Sequence, residues 1–454
     1  MKEKRNIPLT RRQFVGGAAA ASALGFSIVA RHVIGGPGHV PPSEKLNVAG
    51  IGVGGRGASI INACESENVV ALCDVDAGRA GGTYKKFPNA KVYQDYRKML
   101  DKEGKSIDAV TIGTPDHVHA PATIRAMKMG KHVYVEKPMA HTIREAREMT
   151  KVAKETGVVT QMGNQGHAGE GLRLYYEFIK DGAIGAVKEV HVWSDRAGVP
   201  GGRAWWPQGV DRPTDTPPVP DSLDWDNWLG PAPVRPYHPA YVPFKWRGWF
   251  DFGCGALGDM AVHNADPAFF ALDLDAPAAV EAESSPVNNE TFPAWSIITY
   301  YFAAKGDRPA VKMKWYDGGK LPEPPEGFEE NRRFGDNGIL FVGTKAMLLG
   351  GSHAGAPRIV PETKMKEYGG RPPRLLERSG DHSKEWIQAC KDGKPENAKS
   401  GFWYAGPFTE ALLVGNLAVR TGKRVEWDSK NMRSPNVPEA NQYVSKVYRK
   451  GWEI

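Results

Sequence analysis

The glycine-rich stretch LNVAGIGVGGRG at residues 46–57 constrains the fold more than any other part of the chain. A short apolar run enters a glycine cluster in which Gly52, Gly54 and Gly57 fit the pattern G-x-G-x-x-G. Between a strand and a helix, each glycine has its own task. The first permits a tight turn, the second lets backbone approach a pyrophosphate, and the third lets the helix pack closely on its strand. The helix expected at 58–65 would aim its N-terminal amides at the phosphates. In a chain with 52 glycines, a chance match or an ordinary strand-to-helix turn is the rival reading. A second apolar run at 68–73 argues against chance, because it ends at Asp74, about 20 residues past the first glycine, where a ribose-binding carboxylate belongs. A carboxylate there accepts from a ribose 2′-hydroxyl and repels a 2′-phosphate. The cofactor expected is therefore NAD, with Arg79 nearby leaving NADP open.

From residue 45 the chain alternates predicted strands at 46–51, 69–73, 92–93, 109–113, 131–135 and 158–162 with helices at 58–65, 78–87, 96–100, 120–129 and 143–156. Such alternation implies right-handed crossovers and a parallel sheet, so residues 45–162 read as a Rossmann NAD(P)-binding domain. Single cores rarely grow beyond about 250 to 300 residues, and 454 residues call for a second domain. Beyond residue 185 the predicted strands (187–194, 295–303, 311–316, 339–342, 346–349) have few helices between them, and the last two form a hairpin over Gly343 and Thr344. Residues 163–454 therefore read as an α/β domain with a largely antiparallel sheet, closed by helices at 382–391 and 407–421. Its expected roles are substrate binding and oligomerisation.

Residues 1–36 have the layout of an export signal: basic residues, an apolar alanine-rich run, then small residues, with Arg11, Arg12 and Phe14 resembling the twin-arginine type. The apolar segment falls short of the roughly 20 strongly apolar residues that a permanent span prefers. A periplasmic or otherwise extracytoplasmic location is expected, with no permanent membrane span after processing. Residues 37–44 read as a linker. Of the net charge of +7, +5 lies within residues 1–32, so the remainder carries only +2 and no nucleic-acid partner follows. The four cysteines form neither a zinc pattern nor a dense disulfide framework.

Three further clusters carry chemistry. The strand at 109–113 runs into TPDHVH, which puts Thr114, Pro115 and His119 beyond a carboxyl edge of the sheet, where ligands of doubly wound folds bind. The strand at 131–135 runs into EKP, bringing Glu136 and Lys137 to the same edge. A partly desolvated lysine there can donate to a substrate hydroxyl and help move its proton. Downstream, GDMAVHNAD places Asp259 and His263 four apart, on one face of a helix. A neutral imidazole at His263 suits proton abstraction, with Asp259 orienting it or binding a neighbouring hydroxyl. A metal would need a further ligand, and Asp266 is the only obvious local candidate, so no metal is expected.

Taken in order, GVGGRG with Asp74, TPDHVH, EKP and GDMAVH resemble the Gfo/Idh/MocA oxidoreductase family from about residue 45 to the C-terminus. The resemblance implies a Rossmann domain followed by an open-faced α/β domain whose sheet often mediates homodimers or homotetramers. It also places the family's catalytic lysine on Lys137 and its acid and histidine on Asp259 and His263. Two departures stand out: Ala261 where many members have glycine, and a long insertion at 195–251. Seven of the 13 tryptophans lie between Trp193 and Trp249. Arg203, Trp206, Arg247 and Trp249 are candidate substrate contacts, since indole faces stack on sugar rings and guanidinium groups bind hydroxyls or carboxylates. Pinning down a proline-rich loop, or a subunit contact, would use the same rings.

The expected activity is NAD(P)-dependent oxidation of a hydroxyl on a sugar, polyol or sugar derivative. Export removes the protein from the cytoplasmic NAD supply, so a tightly bound, internally recycled cofactor is expected. Two alternatives stay open: a redox-neutral, NAD-dependent glycoside-cleaving enzyme and a non-catalytic sugar-binding protein.

Overall fold

The computed structural model describes residues 44–198 and 204–454. The predicted export signal, most of the linker and Arg203 lie outside the described residues. Six strands build the first sheet: β1 (Asn47–Ile51), β2 (Asn68–Cys73), β3 (Lys91–Tyr93), β4 (Ala109–Ile112), β5 (His132–Val135) and β6 (Thr160–Met162). All neighbours are parallel, in the order β3-β2-β1-β4-β5-β6. β4 reads AVTI and is buried throughout, as a strand covered on both faces must be. The chain winds outward from β1 to β3, then crosses back to β4. The carboxyl ends of β1 and β4 therefore flank the switch point of the sheet, where Gly52 and Gly113 lead out of the two strands.

Helix Ile143–Thr156 shows why local sequence placed some boundaries well. Thr142 and Glu145 form a reciprocal capping box, and Gly157 ends the helix in the left-handed region at φ 66°. Its buried face, including Ala146, Met149 and Val152, packs against helix Phe402–Thr421. That later helix begins five residues before the expected start at 407, so Pro407 lies inside it rather than opening it.

The second sheet has eight strands: β7 (Val187–Trp193), β8 (Ala279–Ser284), β9 (Ser296–Phe302), β10 (Val311–Tyr316), β11 (Gly338–Gly343), β12 (Met347–Gly351), β13 (Arg358–Val360) and β14 (Val425–Glu426). Their order is β13-β12-β11-β7-β10-β9-β8-β14, antiparallel except where β10 runs parallel to β7. Along β10, Val311, Met313 and Trp315 are buried while Lys312 and Lys314 alternate onto the other face. Helix Phe402–Thr421 packs on β8 and β9. Helices Glu170–Lys180 and Asp266–Leu272, absent from the sequence reading, pack against each other.

The two domains are not consecutive blocks. Helix His382–Asp392 returns to the Rossmann sheet, where Trp386 meets Tyr134 edge-on at 5.6 Å and joins a core with Val48, Leu72 and Val159. Residues about 250 positions beyond β5 thus complete the core of the nucleotide domain. The four cysteines are buried free thiols. Replacing Trp386 with Ala should destabilise the Rossmann core by about 3–5 kcal/mol, as for other large-to-small core changes. Urea unfolding followed with a probe in residues 46–162 checks this, and an unchanged midpoint would mean that the block folds without the late helix.

Candidate functional site

The cleft at the switch point is built largely from backbone. Gly52 turns the chain at φ +71°, and its amide donates to the Cys73 carbonyl at 2.8 Å. At Gly57 an added Cβ would lie 1.7 Å from the Gly52 oxygen, so only glycine lets helix Arg56–Ala63 start there. Asp74 accepts from the Gly54 amide at 2.8 Å and from the Asp76 amide at 3.0 Å. Burial raises its carboxyl above the usual range against the pull of those two bonds. Arg79 lies against Gly54 and Gly55. Gly52, Gly54, Asp74, Thr114, Pro115 and Glu136 all line one cavity with Lys137 at its inner end. The Thr114 Oγ1 is buried there without a hydrogen-bond partner among the described residues, a polar atom awaiting a ligand. Bare backbone at the turn, a carboxylate at the end of β2 and this unsatisfied hydroxyl fit a dinucleotide.

The opposite wall comes from the insertion. Leu223, Trp228, Phe244, Trp246 and Arg247 line the same cavity as the glycine loop. Backbone bonds fasten this wall to the end of β2: Ala77 N donates to Ser222 O at 2.9 Å and Asp224 N to Val75 O at 2.8 Å. Behind it, Trp225 stacks on Trp228 at 4.7 Å, and Tyr241, Trp249 and Phe252 complete an aromatic core. Trp206 and Trp249, expected as substrate contacts, are buried away from the cavity wall. Trp249 Nε1 donates to Ala240 O at 2.9 Å and Trp206 Nε1 to Gln208 Oε1 at 2.5 Å. They pin the loop instead.

The reactive groups converge where three parts of the chain meet. Lys137 Nζ donates to Asp259 Oδ1 at 2.8 Å and also to the Asp259 main-chain oxygen. Arg247 Nε donates to the same Oδ1 at 2.8 Å, its guanidinium lying 4.2 Å from the ring centres of both Phe244 and Trp246. Burial alone would raise the Asp259 carboxyl. The charges and hydrogen bonds of Lys137 and Arg247 outweigh it and hold the group well below the usual carboxylate range. Glu136 is salt-bridged to Arg56 at 2.9 Å and accepts from the Lys137 amide at 3.2 Å, which holds the turn carrying the lysine.

Asp259 does not hold His263 as helical spacing suggested. Residues Leu257–Ala261 form a π-helix, whose wider turn changes the angle between positions four apart. His263 instead stacks on His353 with ring centres 4.0 Å apart, and its Nδ1 is buried without a partner. Burial pushes this imidazole well below its ordinary pKa, with Lys137 and His353 adding to the shift, so the ring is neutral at pH 7. His119 is also displaced from its expected place. It is fully buried off the cavity wall, its Nε2 2.9 Å from Thr114 O and its Nδ1 2.8 Å from Pro138 O, and burial lowers it to about 4. It links the loops after β4 and β5 rather than facing a cofactor.

Two site residues escaped the sequence reading. Asp116 is buried, accepts from the Cys254 amide at 3.0 Å and is pushed up to about 7 by burial, so it ties the loop after β4 to the segment leading into the π-helix. Its place inside TPDHVH was a usable signal. Arg196 approaches the second oxygen of Asp259 at 3.8 Å, and nothing local distinguished it among 59 lysines and arginines.

The family model described as "Oxidoreductase family, NAD-binding Rossmann fold" matches residues 46–164, and that described as "Oxidoreductase family, C-terminal alpha/beta domain" matches 177–308. Similar curated proteins include 1,5-anhydro-D-fructose reductase of Ensifer adhaerens, 27% identical over 39% of this chain and 42% of that protein. Inositol 2-dehydrogenase of Salmonella paratyphi B is 29% identical over 32% and 44%, and alpha-N-acetylgalactosaminidase of Shewanella oneidensis 32% identical over 32% and 34%. The chain thus spans less than half the length of each of these relatives. Among solved structures, the WlbA dehydrogenase from Bordetella pertussis, in complex with NADH and UDP-GlcNAcA, aligns at TM-score 0.56 and 18% identity over 85% of this chain and 99% of that one. An inositol dehydrogenase homolog from Azotobacter vinelandii, complexed with NADH and myo-inositol, aligns at TM-score 0.54 and 17% identity over 84% and 98%. At such identities these two show the fold alone. The two family models together match more than half of the chain, which belongs to the Gfo/Idh/MocA oxidoreductase family, its NAD-binding Rossmann domain preceding its α/β domain.

Proposed function

We propose that this protein is an NAD-dependent oxidoreductase acting on a hydroxyl of a sugar, polyol or sugar derivative. The observation that carries the reading is the junction of the nucleotide cleft with the Lys137–Asp259 pair beside a neutral, partly unsatisfied His263. Gly52, Gly54, Asp74 and Thr114 would hold the dinucleotide, which when bound supplies the electron-pair acceptor. Lys137 donates to the reacting hydroxyl oxygen and stabilises negative charge developing there. Asp259 keeps that ammonium in place. His263, neutral and desolvated, takes the hydroxyl proton on its free nitrogen. The insertion wall excludes water from the same space.

Retention of the nucleotide through turnover is part of the proposal, along with twin-arginine export to a periplasmic or extracytoplasmic location. It is supported by the wall of Leu223, Trp228 and Phe244 across the cleft and by the hydrogen bonds fastening that wall to the end of β2. A homodimer or homotetramer through the second sheet fits its unburied face, on which Lys312 pairs with Glu189 at 3.1 Å. A redox-neutral glycoside-cleaving cycle is a second reading, favoured by the similarity to the Shewanella glycosidase. It would use the same base, because a ketone acidifies the adjacent C–H, and it differs in releasing an aglycone with no net NADH.

After extensive dialysis the purified protein should keep close to one NAD per chain, read by nucleotide analysis after denaturation; a stripped protein that does not rebind NAD would overturn the reading. Lys137→Ala should lose about 10²- to 10⁴-fold in turnover, the range for removing a proton-transfer participant, while its NAD content stays that of the parent. Unaltered biological activity in that variant would favour a binding protein. The pH profile tests His263. Because its pKa is lowered, protonation disables the base only well below pH 6.5, so kcat/KM should stay level as pH falls from 8 towards 6. An acid limb at or above 6.5 would exclude His263 as the base.

A further inference from the structure

Positive charge is in excess beside the proposed reaction centre. Lys137 and Arg247 both donate to Asp259 Oδ1 at 2.8 Å, and Arg196 Nε lies 3.8 Å from Oδ2. The three cationic side chains are only 13%, 15% and 18% exposed. Asp195, 2.5 Å from Arg196, is a second carboxylate beside the cluster, and it also accepts from Trp205 Nε1 at 3.2 Å and Asn337 Nδ2 at 3.0 Å. Glu136 is taken by Arg56. His263 and His353 add no further positive charge, since both rings are held neutral chiefly by burial. Among the described residues, three buried cations thus share the carboxylates of Asp259 and Asp195, while Asp116, a third acid within electrostatic reach of Lys137 and Arg247, is pushed up to about 7 by burial and carries only part of a charge at neutral pH. An isolated buried charge is costly, and its persistence calls for a partner.

The donors are also placed for one. Among the described residues the buried Arg196 Nε has no hydrogen-bond partner, although its guanidinium is held 3.5 Å from the Trp205 ring centre and by Asp195. Arg247 is likewise fixed between Phe244 and Trp246. Two guanidinium groups held in place by aromatic rings, both reaching the Asp259 carboxylate beside the lysine, are the donor type suited to a second carboxylate. Substrate hydroxyls could satisfy the free N–H but not the charge.

We infer that the substrate bears a carboxylate, as a uronic or aldonic acid does, and that Arg196 and Arg247 bind it while the reacting hydroxyl faces Lys137 and His263. This rests on the sugar oxidoreductase reading. The binding step moves no covalent bond: the carboxylate takes up the unused donor of Arg196 and balances the excess charge. Aldonates lengthen the same contact by having an open chain, so uronates and aldonates are both fitting probes.

The test uses the NAD-loaded protein with matched pairs, D-glucuronate against D-glucose, D-galacturonate against D-galactose and D-gluconate against D-sorbitol. Turnover is read at 340 nm and binding by tryptophan fluorescence. At least one acid should exceed its neutral counterpart by about tenfold or more in kcat/KM, the scale of a charge-assisted hydrogen bond. Arg196→Gln should shrink that acid-to-neutral ratio towards one, and Arg196→Lys should restore it only in part. Neutral sugars turned over as well as or better than the acids would overturn the inference and leave the oxidoreductase reading standing. Reaction and binding with neither class would overturn both.

Discussion

The buried carboxylate of Asp259 is the point on which the functional half of this molecule depends. It lies in the π-helix Leu257–Ala261, yet its ligands come from elsewhere: Lys137 from the loop after β5 of the nucleotide sheet, Arg247 from the insertion. A carboxylate in such a place would be neutral if left alone, because desolvation opposes its charge. Two cations at 2.8 Å reverse that outcome. Breaking a buried pair leaves an uncompensated charge and costs several kcal/mol, more than replacing the whole pair by apolar groups. The interaction therefore does more than stabilise. It fixes the lysine, the insertion and the histidine helix relative to one another, and a shift in any of the three would be felt by the other two.

The nucleotide half was legible because its constraints are local. Gly52, Gly57 and Asp74 are set by a turn, a close helix–strand approach and the end of the neighbouring strand, all within 28 residues. Capping at Thr142 and Gly157 likewise fixed helix Ile143–Thr156 to the residue. What sequence could not deliver were the consequences of tertiary contact. The π-turn at Leu257–Ala261 leaves no mark in the hydrophobic period, and among the described residues no hydrogen bond joins Asp259 to His263 despite their helical spacing. His119 and His263 carry the same side chain in motifs of similar look. One bridges two carbonyls, whereas the other keeps a free nitrogen, and only the packing around each decides which. Trp206 and Trp249 were plausible sugar platforms by residue type, and burial made them pillars of the insertion. Helix His382–Asp392 completes a core that began more than 330 residues earlier, so no boundary drawn along the chain could have divided the domains cleanly.

The insertion changes what a Rossmann cleft is. A dinucleotide site at a sheet edge is normally open on one side, and the affinity of the glycine loop alone sets how long the cofactor stays. Here Ser222 and Asp224 are hydrogen-bonded to the segment following β2, and the chain from Val242 to Arg247 closes over the inner end. Arg247 then belongs to both functions at once: its guanidinium is part of the wall and part of the Asp259 cluster. Closing the cleft and assembling the reaction centre are therefore one structural event rather than two.

That coupling bears on the charge at the centre. An arginine recruited to close a wall brings a cation into a space already holding Lys137, and a second guanidinium at Arg196 adds to it. Asp259 can neutralise only one of them, and Asp195 is committed to Arg196, Trp205 and Asn337. Structural closure alone could have been achieved with apolar side chains, as Trp228 demonstrates by lining the cavity and packing on Phe252 at 4.9 Å. On the proposed reading the cations supply recognition, while the aromatic rings, some lining the cavity and some behind it, support the loop. Charge excess and one unfilled guanidinium donor then follow from what the cations must bind, not from what holds the loop in place.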